Sequence, residues 1–321
     1  MSCAAGAQGK RPVRWSRDVE FAERDSGPLL MDLAVPEGPG PFPAILWLHG
    51  GGWFTGDRTL APELGRFAAR GFVMASAEYR LSGTAPFPAQ WFDVRSAVRF
   101  LRRHAGRFGI DPAAIGLWGS SAGGHLAALA AMTGHVATVD CESAGQGDAS
   151  VQAVSDGYGP VDLAALVAAA DSGANSPESR LLGGRALGGA GRADRPALAA
   201  LASPLSHITS AAPPFQILHG TGDALVPHAQ SESLHAALAA AGVPSTLYLL
   251  DGFRHGFLNP AGRVELDGPK VMDDGRLAAG PAPADYRQAL PGQPERSGRA
   301  RVSFGAIGDF FAEHLHGKGK A

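Results

Sequence analysis

Short apolar runs of strand length recur along the chain with helix-forming stretches between them, and this rhythm predicts the architecture before any motif is considered. Residues 44–48 and 72–77 are such runs, and residues 61–70 between them have helical composition. A predicted helix over 91–108 follows, then a strand over 114–118 and an alanine-rich helix through 125–130. Further strands are predicted over 151–155, 215–218 and 245–250, with a helix over 230–241. Strands that are apolar throughout, rather than at alternate positions, are covered on both faces. The pattern therefore predicts an α/β fold, a mostly parallel central sheet with helices on both sides. Ahead of it, residues 19–22 and 30–35 flank Ser26-Gly27-Pro28 and predict an antiparallel N-terminal hairpin.

Three stretches fall outside the rhythm. Residues 1–16 are small and polar and are expected to be disordered, leaving 17–321 as a single domain. Residues 160–210 are rich in alanine, glycine and proline with short helical pieces and read as a lid- or cap-like excursion. Residues 259–300 form a Gly/Pro-rich insertion with little periodicity. The remainder is ample for a core, since 45% of the 321 residues are hydrophobic. A net charge of -2, from 28 basic and 30 acidic residues, gives no electrostatic footprint for nucleic acid or an anionic membrane. Arg99, Arg102, Arg103 and Arg107 cluster at helical spacing and read as a solvated face.

Two cysteines, Cys3 and Cys141, are too few for a disulfide framework, and no Cys/His spacing suggests a metal site. No apolar run approaches the ~20 residues that span a bilayer. Residues 1–14 lack the hydrophobic segment of a signal peptide, so the chain as it stands reads as cytoplasmic. Cys3-Ala4-Ala5-Gly6 would instead suit an exported or lipid-anchored protein whose leader has been removed.

Gly119-Ser120-Ser121-Ala122-Gly123 fits G-x-S-x-G where a predicted strand meets a predicted helix, the context of a nucleophile elbow. Small flanking residues permit the tight turn that presents Ser121, and the positive end of the following helix points at the site. A serine nucleophile at neutral pH also needs a base, an acid to orient the base, and donors for the oxyanion. His49-Gly50-Gly51-Gly52-Trp53 directly follows the strand at 44–48, where glycine N–H groups approach a substrate oxygen unobstructed. Asp223 and His255 each follow a predicted strand, on loops at the carboxyl ends where open α/β sheets gather functional groups. The order Ser, Asp, His is that of an α/β-hydrolase triad. Among the other histidines, His125, His219, His228 and His235 lie on or beside predicted helices or strands, where a packed or surface imidazole is the plainer expectation. Asp251 lies only four residues before His255, which favours Asp223 as the acid, and Ser120 is off the central position of the pentapeptide.

On these residues the chain resembles the α/β-hydrolase superfamily, specifically esterases of the hormone-sensitive-lipase type and the bifunctional feruloyl/acetyl-xylan esterase-like group. The shared pattern covers most of residues 40–258. It includes the His49 glycine run with Gly56-Asp57-Arg58, Tyr79-Arg80-Leu81, Ala85-Pro86-Phe87-Pro88-Ala89-Gln90 and Phe108-Gly109-Ile110-Asp111-Pro112. It continues through the serine pentapeptide, Ser176-Pro177-Glu178-Ser179 and Ala202-Ser203-Pro204. The resemblance implies Ser121 as nucleophile, Asp223 as acid and His255 as base, with an oxyanion hole from the N–H groups of Gly51, Gly52 and Ala122. It implies no cofactor. Two departures stand out: residues 259–300 intervene before a closing helix at 306–315, and residues 1–40 are smaller than the cap of the hormone-sensitive-lipase type. The second makes the feruloyl/acetyl-xylan-like group the nearer fit.

The expected reaction is serine carboxylic-ester hydrolysis through an acyl-enzyme, on short-chain or aryl esters of acetyl or feruloyl type, small or carbohydrate-linked. Trp53, Phe87, Trp91 and Phe257 are the expected pocket walls. The same triad would also serve an arylformamidase- or amidase-like hydrolase, and non-catalytic ligand-binding homologues share the fold, although they lose the triad histidine that His255 retains here. Acyl preference and oligomeric state leave no signal in the sequence.

Overall fold

The computed structural model describes residues 11–136, 142, 147–169, 176–183, 195–261 and 271–316. Its strands are β1 (Val13–Arg24), β2 (Gly27–Pro36), β3 (Phe42–Leu48), β4 (Val73–Ala77), β5 (Ile110–Ser120), β6 (Ala153–Gly157), β7 (Phe215–Gly220), β8 (Ser245–Leu250), β9 (Ala282–Ala289) and β10 (Arg296–Val302). All ten form one sheet in the order β1-β2-β4-β3-β5-β6-β7-β8-β9-β10. Neighbours from β4 to β8 are parallel, and two antiparallel strands flank this centre on each side. Every residue of β3 is buried, and Leu46 pairs with Ala75 on one side and Leu117 on the other. Ala44, Leu46 and Leu48 feed one apolar core with Leu126, while Ile45 and Trp47 feed the opposite core with Trp118 and Phe311. A strand buried on both faces has no polar side, which is why its sequence is unbroken apolar.

Nine helices cover the faces among the described residues: α1 (Leu64–Ala68), α2 (Ala89–Arg103), α3 (Ala105–Phe108), α4 (Ala122–Thr133), α5 (Leu163–Ala169), α6 (Pro177–Leu181), α7 (Arg195–Ala202), α8 (Ala229–Ala240) and α9 (Phe304–Leu315). All twelve residues of α4 are buried. Its alanines and glycines let the helix axis approach the sheet closely, which brings the start of the helix to the end of β5. On the other face α9 packs beneath β5, with Phe311 against Gly116, where a Cβ would lie 2.6 Å from the Phe311 ring.

Several expectations need correction. Residues 13–16, placed in the disordered start, belong to β1 and pair with β2, Val13 with Pro36 and Ser16 with Leu33. Backbone hydrogen bonds hold them and none of their side chains is buried, so no apolar pattern announces the strand. The insertion at 259–300 contains β9 and most of β10, which extend the sheet beyond β8. The buried positions of β9 are alanines, Ala282, Ala284 and Ala289, too small to stand out as an alternating pattern. Arg99 is not on a solvated face: it is buried with Arg95, and both pair with Glu142, the Arg95 Nε at 3.0 Å. Carbonyls of Thr133, Val136 and Gly147 accept further guanidinium N–H groups. Cys3 and Cys141 lie outside the described residues. No described helix is long and apolar enough to cross a membrane, and among the described residues no group of three or more His, Cys, Asp or Glu side chains is placed to hold a metal ion.

Candidate active site

Four loops meet at the carboxyl ends of the parallel strands. The glycine loop follows β3, Ser121 follows β5, Asp223 follows β7 and His255 follows β8. Parallel strands point all their carboxyl ends one way, so residues far apart in sequence collect on one rim.

Ser121 joins β5 to α4 with φ 55° and ψ −121°, a conformation that costs a residue bearing a Cβ on the order of 1–3 kcal/mol. Two backbone bonds hold it there: its N–H donates to the Gly157 carbonyl at 2.7 Å, and its carbonyl accepts from the His125 N–H at 2.9 Å. The flanking glycines are required by space. A Cβ at Gly119 would lie 2.3 Å from the Gly123 carbonyl oxygen, and one at Gly123 would lie 2.1 Å from that of Leu48. The sequence therefore forces the serine onto a partly buried knuckle while its neighbours stay flush with the adjoining loops.

From that knuckle a continuous hydrogen-bond chain runs inward. The Ser121 hydroxyl lies 2.8 Å from His255 Nε2, and His255 Nδ1 lies 2.6 Å from Asp223 Oδ2. A carboxylate only accepts, so Nδ1 carries the proton and Nε2 is left to accept the hydroxyl proton of Ser121. Asp223 is anchored in turn: its Oδ1 accepts the N–H groups of Leu225 and Val226, each at 2.9 Å. Burial by itself would raise the Asp223 carboxyl, but hydrogen bonds from His219 and His255 and the Val226 N–H outweigh it and hold the group far below the usual carboxylate range. Such a chain is equipped to move a proton from a serine hydroxyl to an imidazole that a fixed anion orients.

The glycine loop closes over this chain. Gly50, Gly51 and Gly52 line the same cavity as Ser121 and His255. The Ala122 N–H is in the first turn of α4, where no acceptor exists within the helix. Tyr79 O–H donates to the His49 carbonyl at 2.9 Å and its ring stacks on His49 at 4.2 Å, fixing where the loop leaves β3.

The cavity has a volume of about 360 Å³. Of the four expected walls only Trp53 lines it. Phe87 and Trp91 are buried in the core and stacked on each other at 5.9 Å, with the Trp91 indole donating to Thr133 Oγ1 at 3.0 Å. Phe257 is fully buried and packs edge-on against Tyr158 at 4.6 Å. The apolar walls are instead Phe54, Pro160, Leu225, Val226 and Met272, with Glu178 and Asn259 as polar lining. Pro160, Pro177 and Glu178 come from the cap-like excursion, and Asn259 and Met272 from the Gly/Pro-rich insertion. That insertion folds back on the histidine loop, with the Asp273 N–H donating to the His255 carbonyl at 2.7 Å.

Two residues beside the chain were not expected there. His219 has its Nε2 2.9 Å from the Val226 carbonyl and 3.4 Å from Asp223 Oδ2, and its Nδ1 2.7 Å from Ser231 Oγ. Tyr158 sets its ring edge-on to His255 at 4.7 Å, and burial pushes its phenol well above the ordinary value. For His219 a signal was present, since it lies four residues before Asp223 at the end of β7. His228 is partly exposed and pairs with Glu232, and His235 packs against Ser245; neither approaches the site. Asp251 lies on the surface in contact with Arg299.

Known proteins resemble the chain in sequence and in shape. The BD-FAE family model matches residues 31–238. Esterase LipQ of Mycobacterium tuberculosis is 35% identical over 220 residues, which is 67% of this chain and 50% of the relative. The chain spans about half the length of the curated relatives it matches. Among solved structures, a truncated carbohydrate esterase from gut microbiota superimposes with a TM-score of 0.64 at 29% identity, covering 76% of this chain and 89% of its own. A propionate-bound esterase from Thermogutta terrifontis gives 0.63 at 27% identity, covering 79% and 88%.

Proposed function

We propose that this chain, which belongs to the BD-FAE family of α/β-hydrolase esterases, hydrolyses small carboxylic esters with Ser121 as the nucleophile. The observation that carries the reading is the chain from Ser121 Oγ through His255 to Asp223, with links of 2.8 and 2.6 Å. Ser121 attacks the ester carbonyl as His255 Nε2 takes its proton. Asp223 keeps the imidazole in the Nδ1–H tautomer and stabilises the imidazolium that forms. The N–H groups of Gly51, Gly52 and Ala122 receive the oxyanion. His255 then returns the proton to the departing alcohol, and the same steps with water as nucleophile release the acid.

The acyl group is short or aryl. A cavity of about 360 Å³ is near the lower end of the range for small-molecule sites, and its walls are mostly apolar. Propionate in the Thermogutta terrifontis relative and the carbohydrate substrate class named for the gut relative support acetyl-type esters, including those on sugars. Nitrophenyl esters of graded chain length, methyl ferulate and acetylated xylan, each assayed with the natural chain and with Ser121→Ala, test this. Turnover that falls with chain length and vanishes in Ser121→Ala is expected. Full turnover by Ser121→Ala would overturn the assignment.

A further inference from the structure

His125 lies on α4 one turn beyond Ser121 and is fully buried. Its ring is bonded at both nitrogens, to two different elements. The Trp53 indole N–H donates to His125 Nδ1 at 3.1 Å, the rings crossing at 87° with centroids 5.1 Å apart. His125 Nε2 lies 2.7 Å from the Ala202 carbonyl at the end of α7. An indole N–H can only donate and a carbonyl can only accept, so the ring is held neutral with its single proton on Nε2. Burial pushes His125 down to about 4, the Ala202 carbonyl opposing, which agrees with that tautomer.

Trp53 is the last residue of the glycine loop and has φ 62°, a conformation that its side chain makes costly. Its carbonyl accepts the Ser82 N–H at 2.7 Å. The strained backbone turn thus has two polar anchors, one on the carbonyl and one on the indole, and the indole anchor is His125. A mere core histidine would not need a ring proton on one named nitrogen, nor would its loss be felt at the glycine loop.

We infer that His125 is a positioning residue: through Trp53 it sets the Gly50–Gly52 backbone against Ser121, so that the loop's N–H groups lie where the oxyanion forms. The inference rests on the reading of Ser121 and the glycine loop given above. A displacement of about 1 Å in such a loop is enough to cost ~10²-fold in turnover.

Side-chain geometry supplies the test. Asparagine places a polar acceptor near the position of Nδ1, glutamine places a donor near Nε2, and leucine supplies neither. With nitrophenyl acetate, Trp53→Phe and His125→Leu should each lose ~10²-fold in kcat with KM little changed, because the interaction is used as the oxyanion forms. His125→Asn should recover at least about tenfold of the leucine loss, and His125→Gln should not. The double variant Trp53→Phe/His125→Leu should be no worse than either single one, since both break one bond. Circular dichroism and thermal melting identify a variant that fails to fold; if His125→Leu does, Trp53→Phe decides. Ser121→Ala runs alongside. If it still turns over, the site reading falls. If it is inactive while folded Trp53→Phe keeps its kcat, or loses only in KM, the role given to His125 falls alone.

Discussion

The floor and the mouth of the cavity are built by different means. On the floor, Ser121, His255 and Asp223 leave the ends of β5, β8 and β7, and every polar atom in their chain has a named partner. Glycines there are wedged against carbonyl oxygens at distances that admit no side chain. At the mouth, Phe54 and Leu225 are 39% and 52% exposed, and the two excursions outside the sheet rhythm add Pro160, Pro177, Glu178, Asn259 and Met272 to the lining. Fixed geometry serves charge development, which depends on distance, whereas apolar walls serve a fit that depends on volume. Chemistry and selectivity should therefore respond separately to substitution.

The largest expected effect tests the floor. Asp223→Asn should lower kcat by ~10⁴, because an amide facing Nδ1 disfavours the tautomer in which Nε2 accepts the serine proton. A loss confined to KM would show instead that Asp223 only shapes the site. Gly123→Ala comes next: its Cβ would press on the Leu48 carbonyl, so both the melting temperature and kcat should fall, the latter by ~10². An unchanged melting curve would mean the elbow is softer than its contacts imply.

A third prediction concerns a charge under the floor. Asp156, at the end of β6, is fully buried, and its Oδ1 accepts the Gly159 N–H at 3.0 Å. Burial raises its carboxyl to about 6, opposed by the Gly159 N–H and by His219. A raised acid binds its proton more tightly in the folded state than in the unfolded one. Its favourable contribution is therefore present below about pH 4 and is lost as pH rises through about 6. Asp156→Asn does not titrate, so its stability relative to the natural chain should rise between pH 4 and 7, by on the order of 2–3 kcal/mol. Melting curves over that range check it, and a constant difference would sink the assignment. The smallest effects belong to the mouth. Phe54→Ala and Leu225→Ala should leave kcat on acetyl esters nearly unchanged while shifting the ratio of aryl to acetyl kcat/KM by ~10-fold. A collapse of acetyl turnover would break the division between floor and mouth.

That division also separates what the sequence revealed from what it hid. Ser121, Asp223 and His255 were legible because each follows a solid apolar strand, and strand ends of a parallel sheet converge. The walls were not. Phe87, Trp91 and Phe257 are aromatic and close in sequence to the motifs, yet they face the core, and a lone aromatic carries no mark of which way its side chain points. Phe54, adjacent to Trp53, lines the cavity and is 39% exposed. The antiparallel pair β9–β10 was hidden for another reason, that the buried positions of β9 are alanines, β10 is exposed along most of its length, and the pairing is made by backbone.

The contact between Phe311 and Gly116 sets a timetable. Phe304, which opens α9, lies 183 residues beyond Ser121, and the strand carrying the serine is packed from below by that helix. At ribosomal speeds the interval is roughly 10–40 s. Through that time a nascent chain bears the complete serine motif on a strand whose underside is covered by Phe67 but lacks Phe304 and Phe311, so Ser121 should be unreactive until α9 has been made. Labelling stalled chains with a fluorophosphonate reads this directly: reactive Ser121 in chains stopped at residue 303 would contradict it.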